Sequence, residues 1–258
     1  MSSFTLPAPL STGAEVRVVA ASSPFDLERY ARGVELLRAR YAVSEGPALF
    51  AKHGFLAGED EMRLRDLHAA LRDEHVRAIV PPRGGYGATR LLPSLDVDAV
   101  RRQGKWLVGF SDVTALHAVW ARAGLCSLHG PMVCSLPEAS AELQRAWFTL
   151  LEGGAPPPLT ELTQVVGGRA EGRLFGGNLS VLAALVGTPY FPDLTDTVLA
   201  LEDVGERPYR LDRMLTTMLQ AGVLRGVRAV LLGQFTKGEP GAAGVSADDV
   251  LAEQLGVL

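Results

Sequence analysis

Lys105-Trp106-Leu107-Val108-Gly109-Phe110-Ser111-Asp112-Val113-Thr114 is the stretch whose reading decides the fold. An apolar run ends abruptly in a serine. A helical pattern then runs from Ala115 to Ala123 and stops at Gly124. A strand that turns sharply into a helix holds a hydroxyl at the helix N-terminus, where unpaired backbone N–H groups and the positive end of the dipole favour a developing oxyanion. This is the logic of a nucleophile elbow, G-x-S-x-G. Gly109 stands two residues before Ser111, but Val113 takes the place of the second glycine. The plainer role for Ser111 or Asp112 is to cap the helix.

The flanking sequence repeats the strand–helix rhythm. Val16 to Ala21 is a β-branched run closed by Ser22-Ser23-Pro24. Asp26 to Arg40 carries Leu27, Tyr30, Val34 and Leu37 at helical spacing, and Ala42-Val43 opens a second strand. Asp60 to Arg72 is amphipathic, with Met62, Leu64, Leu67 and Leu71. Val76 to Val80 is a buried strand closed by Pro81-Pro82, and Leu125 to Leu128 a further one after the serine. Alternating strands and helices predict an α/β layer on a parallel sheet, with ligands beyond the carboxyl ends of the strands. The Pro82–Gly87 loop and Ser111 both fall there.

Glu152-Gly-Gly-Ala-Pro-Pro-Pro158 has linker composition. The domains expected are an α/β domain over 1–151, a linker over 152–168 and a smaller C-terminal domain over 169–258. In the latter, Val165 to Leu174 looks like β structure, Asn178 to Gly187 like a short helix, and Thr197 to Leu201 like a strand ending at Glu202-Asp203. Tyr209 to Ala221 is strongly amphipathic, with Leu211, Met214, Leu215, Met218 and Leu219 on one face, and Val227 to Leu232 is a strand.

Composition excludes several classes. A net charge of −4 gives no support for nucleic acid or an anionic membrane as partner. No window approaches the ~18 apolar residues of a membrane span, and no signal peptide is evident, so a cytoplasmic protein is expected. Cys126 and Cys134 read as buried thiols and lack zinc spacing. Arg83-Gly84-Gly85-Tyr86-Gly87-Ala88 lets backbone amides approach a ligand, but Arg90 stands where the dinucleotide fingerprint needs its last glycine, and no Walker lysine follows. Glu202 and Asp203 are both placed to orient a histidine as a triad carboxylate does. Asp203 or Glu206 could instead cap the helix near Tyr209.

Five motifs in order, Arg83-Gly-Gly-Tyr-Gly, Gly109-Phe-Ser-Asp-Val-Thr, His129-Gly-Pro-Met, Gly176-Gly-Asn-Leu and Leu201-Glu-Asp-Val-Gly-Glu-Arg-Pro-Tyr-Arg-Leu-Asp-Arg-Met-Leu, resemble the LD-carboxypeptidases. His53-Gly-Phe-Leu-Ala-Gly is similar to a further segment of that family, and the resemblance runs from about Val16 to the C-terminus. It implies an N-terminal parallel-sheet α/β domain and a smaller β-rich C-terminal domain with the active site between them. It also implies a Ser–Glu–His serine peptidase, without metal or cofactor, that releases terminal D-alanine from murein tetrapeptides during cytoplasmic cell-wall recycling. The partner would be a small muropeptide, and a homodimer is compatible with the family. On this resemblance Ser111 is the nucleophile and Glu202 the triad carboxylate. The Asp112 N–H and the Gly84–Gly85 loop form the oxyanion hole. Arg83 is placed to grip a substrate carboxylate and Tyr86 to line the cleft. The alternatives are hydrolysis of microcin-type peptide–nucleotides and a non-catalytic muropeptide-binding module.

The family's histidine follows the Val-Leu-Leu-Gly-Gln-Phe strand in a Gly-His segment. Here the five histidines are His53, His68, His75, His117 and His129, and none follows Glu202. The apolar ending at Leu258 reads as a C-terminal domain cut before its last strand. A serine without its base loses on the order of 10⁴–10⁶ in rate. His117 is expected to pack away from Ser111. His129 ends a neighbouring strand near the same cleft, where structural hydrogen bonding is the more frequent role of a lone histidine.

Overall fold

The computed structural model describes residues 4–238, 240 and 244–256. Val257 and Leu258, the last of the apolar ending, lie outside the described residues. The chain divides into two compact units, residues 1–158 and 159–258.

The first unit carries a parallel sheet of β1 (Glu15–Val18), β2 (Ala42–Glu45), β3 (Val76–Ile79), β4 (Trp106–Gly109) and β5 (Leu128–His129), in the order β2-β1-β3-β4-β5. Strand β4 is buried at every residue, as a central parallel strand covered on both faces must be. Alternate side chains divide the core. Val16, Val18, Ala78, Val80, Trp106 and Val108 pack with Tyr30, Val34 and Leu37 of α1 (Leu27–Arg38) and with Trp147, Phe148 and Leu151 of α5 (Ala141–Leu151). Helices α2 (Asp60–Arg72), α3 (Val97–Gln103) and α4 (Thr114–Arg122) contact one another in series, with α2 against β3 and α4 against β4. The strand order reverses between β1 and β3. In such a sheet the loops leaving the carboxyl ends on either side of that reversal frame a crevice. Ser22-Ser23 leaves β1, Gly84-Gly85 follows β3 and Ser111 follows β4.

The second unit is a three-stranded parallel sheet, β6 (Arg173–Asn178), β7 (Thr197–Val204) and β8 (Val227–Thr236), in the order β6-β7-β8. Its core joins Leu199 and Leu201 to α6 (Leu179–Leu185), α7 (Pro208–Gln220) and α8 (Ala247–Leu255) through Leu179, Leu182, Leu211, Leu215, Met218 and Leu251.

Several elements depart from the sequence reading. Strand β6 begins only at Arg173, so most of Val165–Leu174 is irregular and exposed, and the strand instead runs on through Gly176-Gly177. A Cβ on Gly176 would collide with the Ala200 carbonyl, so glycine is what lets β6 close on β7 there. Strand β5 occupies Leu128–His129 rather than Leu125–Leu128, because Leu125 is taken by a bridge to Thr5. Neither Asp203 nor Glu206 caps α7, whose first residue is Pro208 and whose N-cap, Arg207, makes no side-chain bond.

Candidate active site

Phe110 leaves β4 fully extended (φ −148°, ψ −174°), and Ser111 then turns to φ 60° before a single 3₁₀ turn leads into α4. A left-handed conformation costs a residue with a Cβ on the order of 1–2 kcal/mol, so packing must enforce the turn. Part of that packing explains the altered elbow motif. A Cβ on Gly109 would fall 2.7 Å from Cγ1 and 2.9 Å from Cβ of Val113. The valine thus fills the space that the missing Gly109 side chain leaves, and one glycine suffices.

Neither Ser111 nor Asp112 serves as a side-chain cap for the helical turns that follow. Asp112 is 3% exposed, and its Oδ2 accepts from Ser22 Oγ at 2.6 Å and from the Ala88 N–H at 2.8 Å. The residue after the serine thereby ties the β1 and β3 loops to the elbow. Ser23 adds two bonds, its N–H donating to the Gly84 carbonyl (3.3 Å) and its Oγ accepting from the Tyr86 N–H (3.1 Å).

These bonds press the glycine loop against the serine. A Cβ on Gly84 would lie 3.0 Å from both Cβ and Oγ of Ser111 and 3.3 Å from the Asp112 nitrogen. Among the described residues the Ser111 hydroxyl and the Gly84 and Gly85 amides have no hydrogen-bond partner. The Asp112 N–H lies in the first helical turn, which supplies it no intrahelical acceptor. A hydroxyl on a strained turn beside several uncommitted N–H groups is an arrangement suited to acyl transfer through an oxyanion. Arg83 is exposed, donates to the Pro24 carbonyl at 3.3 Å, and makes no ion pair among the described residues. Tyr86 is 48% exposed, its ring 5.6 Å from that of exposed Phe55.

The histidines of this unit are otherwise engaged. His117 is buried beneath the elbow. Its Nε2–H donates to the Gly109 carbonyl at 2.8 Å, and its Nδ1 accepts from Ser127 Oγ at 2.7 Å. Burial depresses its pKa to about 3, with His129 adding to the effect, so it stays neutral and structural. His129 is paired with Gly109 in the sheet and is exposed as a residue, while desolvation of its ring holds the imidazole below its usual value. Its ring centroid lies 6.3 Å from that of Phe110 and 6.0 Å from that of His117. His53 pairs with Glu59 at 2.8 Å, and His68 Nε2 accepts from the Asp96 N–H at 3.3 Å. None of the five is bonded to Ser111.

In the second unit the structure separates the two adjacent carboxylates. Asp203 points into the core side and is 3% exposed. It accepts from Asn178 Nδ2 (3.0 Å), the Ser180 N–H at the start of α6 (2.8 Å) and the Val204 N–H (2.8 Å). Glu202 lies on the opposite face, across from Asn178 in β6. There the β7–β8 register slips, Leu201 facing Leu232 but Asp203 facing Phe235. A bulge of this kind re-aims a side chain. Glu202 Oε1 is buried without a partner. Burial raises the Glu202 pKa to about 7, the neighbouring Asp203 charge adds to this, and the Asn178 hydrogen bond opposes it. Glu202, not Asp203, is the carboxylate left open to a donor.

Sequence reading missed Ser22, Ala88, Arg63 and Ser127 as parts of this arrangement. Each acts through a long-range hydrogen bond that no local pattern announces.

The LD-carboxypeptidase N-terminal domain model matches residues 16–130 and the LD-carboxypeptidase C-terminal domain model matches residues 171–257. The chain belongs to the LD-carboxypeptidase family. It is 41% identical to a Streptomyces coelicolor protein named as a putative carboxypeptidase, over 93% of this chain and 81% of that one. It is 37% identical to the probable murein peptide carboxypeptidase of Bacillus subtilis, over 89% of this chain and 74% of that one. Among solved structures, the muramoyltetrapeptide carboxypeptidase of Oxalobacter formigenes superposes with a TM-score of 0.79 at 28% identity, over 95% of this chain and 85% of that one. An MccF-like protein of Bacillus anthracis superposes with a TM-score of 0.84 at 26% identity, over 98% and 86%. As a family member the chain is a serine-type carboxypeptidase. No helix among the described residues is long and apolar enough to cross a membrane.

Proposed function

We propose that this LD-carboxypeptidase acts on muropeptides, releasing the terminal D-alanine of a murein tetrapeptide in the cytoplasm during wall recycling. The observation that carries the reading is the left-handed Ser111 with its hydroxyl against Gly84 and beside unpaired amides. Ser111 Oγ attacks the scissile carbonyl, forming a tetrahedral adduct whose oxyanion the Asp112 N–H and the Gly84–Gly85 loop amides hold. The exposed Arg83 guanidinium pairs with the carboxylate of the departing D-residue, and Tyr86 flanks the peptide. Glu202 is assigned as the triad carboxylate that would orient the family's general-base imidazole, a group that none of this chain's five histidines supplies at Ser111. The names of the Bacillus subtilis and Oxalobacter formigenes relatives support the muropeptide substrate.

The test is release of D-alanine from purified murein tetrapeptide by a parent chain carrying the family's C-terminal Gly-His segment and by its Ser111→Ala variant. Turnover should fall by at least about 10⁴-fold in the variant. Turnover retained in Ser111→Ala rejects the nucleophile. Cleavage of an aminoacyl-nucleotide in preference to tetrapeptide moves the substrate to the microcin class. Binding of tetrapeptide with no product from the parent protein makes the chain a binding module.

A further inference from the structure

One buried side chain in the first unit has no place in the reaction as described. Arg63, on α2, is 1% exposed. Its Nη1 donates to the Ala21 carbonyl and to the Gly87 carbonyl, the latter at 3.0 Å. Its Nη2 pairs with Asp60 at 2.5 Å, and Asp60 is held in turn by Arg90 at 2.8 Å. A buried guanidinium is costly unless paired and bonded, and its planar fork suits simultaneous contact with separate acceptors.

The acceptors are what make Arg63 informative. The Gly87 carbonyl and the Ala88 N–H belong to one peptide group. Arg63 takes its oxygen, and Asp112, the residue after Ser111, takes its nitrogen at 2.8 Å. The β1 loop is gripped in the same way, with the Ala21 carbonyl on Arg63 and the adjacent Ser22 hydroxyl on Asp112. A buried cation and a buried carboxylate thus clamp both loops from opposite sides. Gly87 is fitted to the clamp. It sits at φ 131°, and a Cβ there would lie 2.8 Å from Arg63 Nη1 and 2.7 Å from Leu56 Cδ2.

We propose that Arg63 is a positioning residue for the peptidase reaction, fixing the Gly84–Gly87 loop so that its free amides face the oxyanion formed at Ser111. The inference rests on the roles proposed for Ser111 and the loop amides. Arg63 does not touch substrate. Its effect lies in the transition state, because misplacing an oxyanion donor lowers kcat while leaving ground-state binding nearly intact.

The test compares Arg63→Lys with the parent on murein tetrapeptide, with active sites counted by a serine-reactive fluorophosphonate and melting followed alongside. Lysine keeps the charge but cannot span both carbonyls and Asp60 with a fixed fork. The expected result is a fall of about 10²-fold in kcat per titrated serine, with KM within about two-fold. A lower melting temperature or titre with kcat per serine unchanged makes Arg63 merely structural and overturns the proposal. Should Arg63→Lys not fold, Asp60→Asn decides. It releases one arm of the guanidinium, so kcat per titrated serine should fall about ten-fold, and an unchanged kcat overturns the proposal. Failure of the underlying reading looks different, since Ser111→Ala would then be as active as the parent.

Discussion

Around Ser111 the side chains of Asp112, His117, Ser22, Ser23 and Arg63 hold three loop ends in place, while the Ser111 hydroxyl and the Gly84 and Gly85 amides are left uncommitted among the described residues. Around Glu202 the second unit leaves an acceptor open instead. It spends Asp203 completely and leaves a buried oxygen of Glu202 with no donor. The first region is built before substrate arrives. The second carries a destabilised carboxylate, its pKa lifted to about 7 by burial, that gains most when a cationic donor comes to it. In the reaction proposed above the two regions have different tasks, a rigid donor set for the oxyanion and a carboxylate that would hold an imidazolium.

Glu202→Gln sharpens the contrast most. The amide keeps the shape and loses the charge that would orient and stabilise an imidazolium, so kcat on murein tetrapeptide should fall by about 10³–10⁴-fold. Stability should move the other way. The native pKa of about 7 lies above the ordinary carboxyl value of 4.5, so between those limits the folded state holds a proton that the unfolded state has lost. Stability therefore drops as pH rises from about 4.5 to about 7 and is flat beyond. The glutamine variant lacks this titration. Its melting temperature should match the parent near pH 4 and exceed it at pH 8. A variant less stable than the parent at every pH would mean that Glu202 is as fully bonded as Asp203.

Asp203→Ala probes the other half of the pair. It removes three hydrogen bonds and leaves the Ser180 N–H short of an acceptor. The expected loss is about 3 kcal/mol in urea unfolding of the second unit, with the first unit's transition unmoved. A loss below about 1 kcal/mol would show that the network is dispensable and that the two carboxylates differ in less than the geometry indicates.

How much of this was legible follows the range of the interactions. Strands β1, β3 and β4 and helices α1, α2, α4 and α7 announce themselves by local periodicity, and Ser111 by an apolar run that stops dead. Helix α8 carried a readable start, since Ser246 and Asp249 form a capping box, yet its acidic first turn of Ala247-Asp248-Asp249 hides the apolar face of Val250, Leu251 and Leu255. Helix α5 was similarly marked by Ser140, whose side chain accepts the Leu143 N–H. What could not be read is whatever depends on partners far along the chain. The ranking of Glu202 over Asp203 needs Asn178 and the slip against β8, and the clamp needs Arg63 to meet Gly87 from a helix that looks amphipathic and ordinary.

The smallest effect tests the elbow itself. Ser111 holds φ 60° with a Cβ in place, and Ser111→Ala keeps that Cβ while Ser111→Gly removes it. Both variants lose the nucleophile, so activity does not distinguish them. If the turn is imposed by Gly109–Val113 packing and the Asp112 tether, glycine relieves the strain without altering the fold, at the cost of a more flexible unfolded chain. The glycine variant should then be the more stable of the two by about 1 kcal/mol, or roughly 2–4 °C in the melting temperature of the first unit. Equal stabilities would mean that the left-handed turn is not strained. A more stable alanine variant would mean that the backbone at Ser111 relaxes out of the elbow once its hydroxyl is gone, and with it the contrast between a region braced in advance and one that waits for its partner.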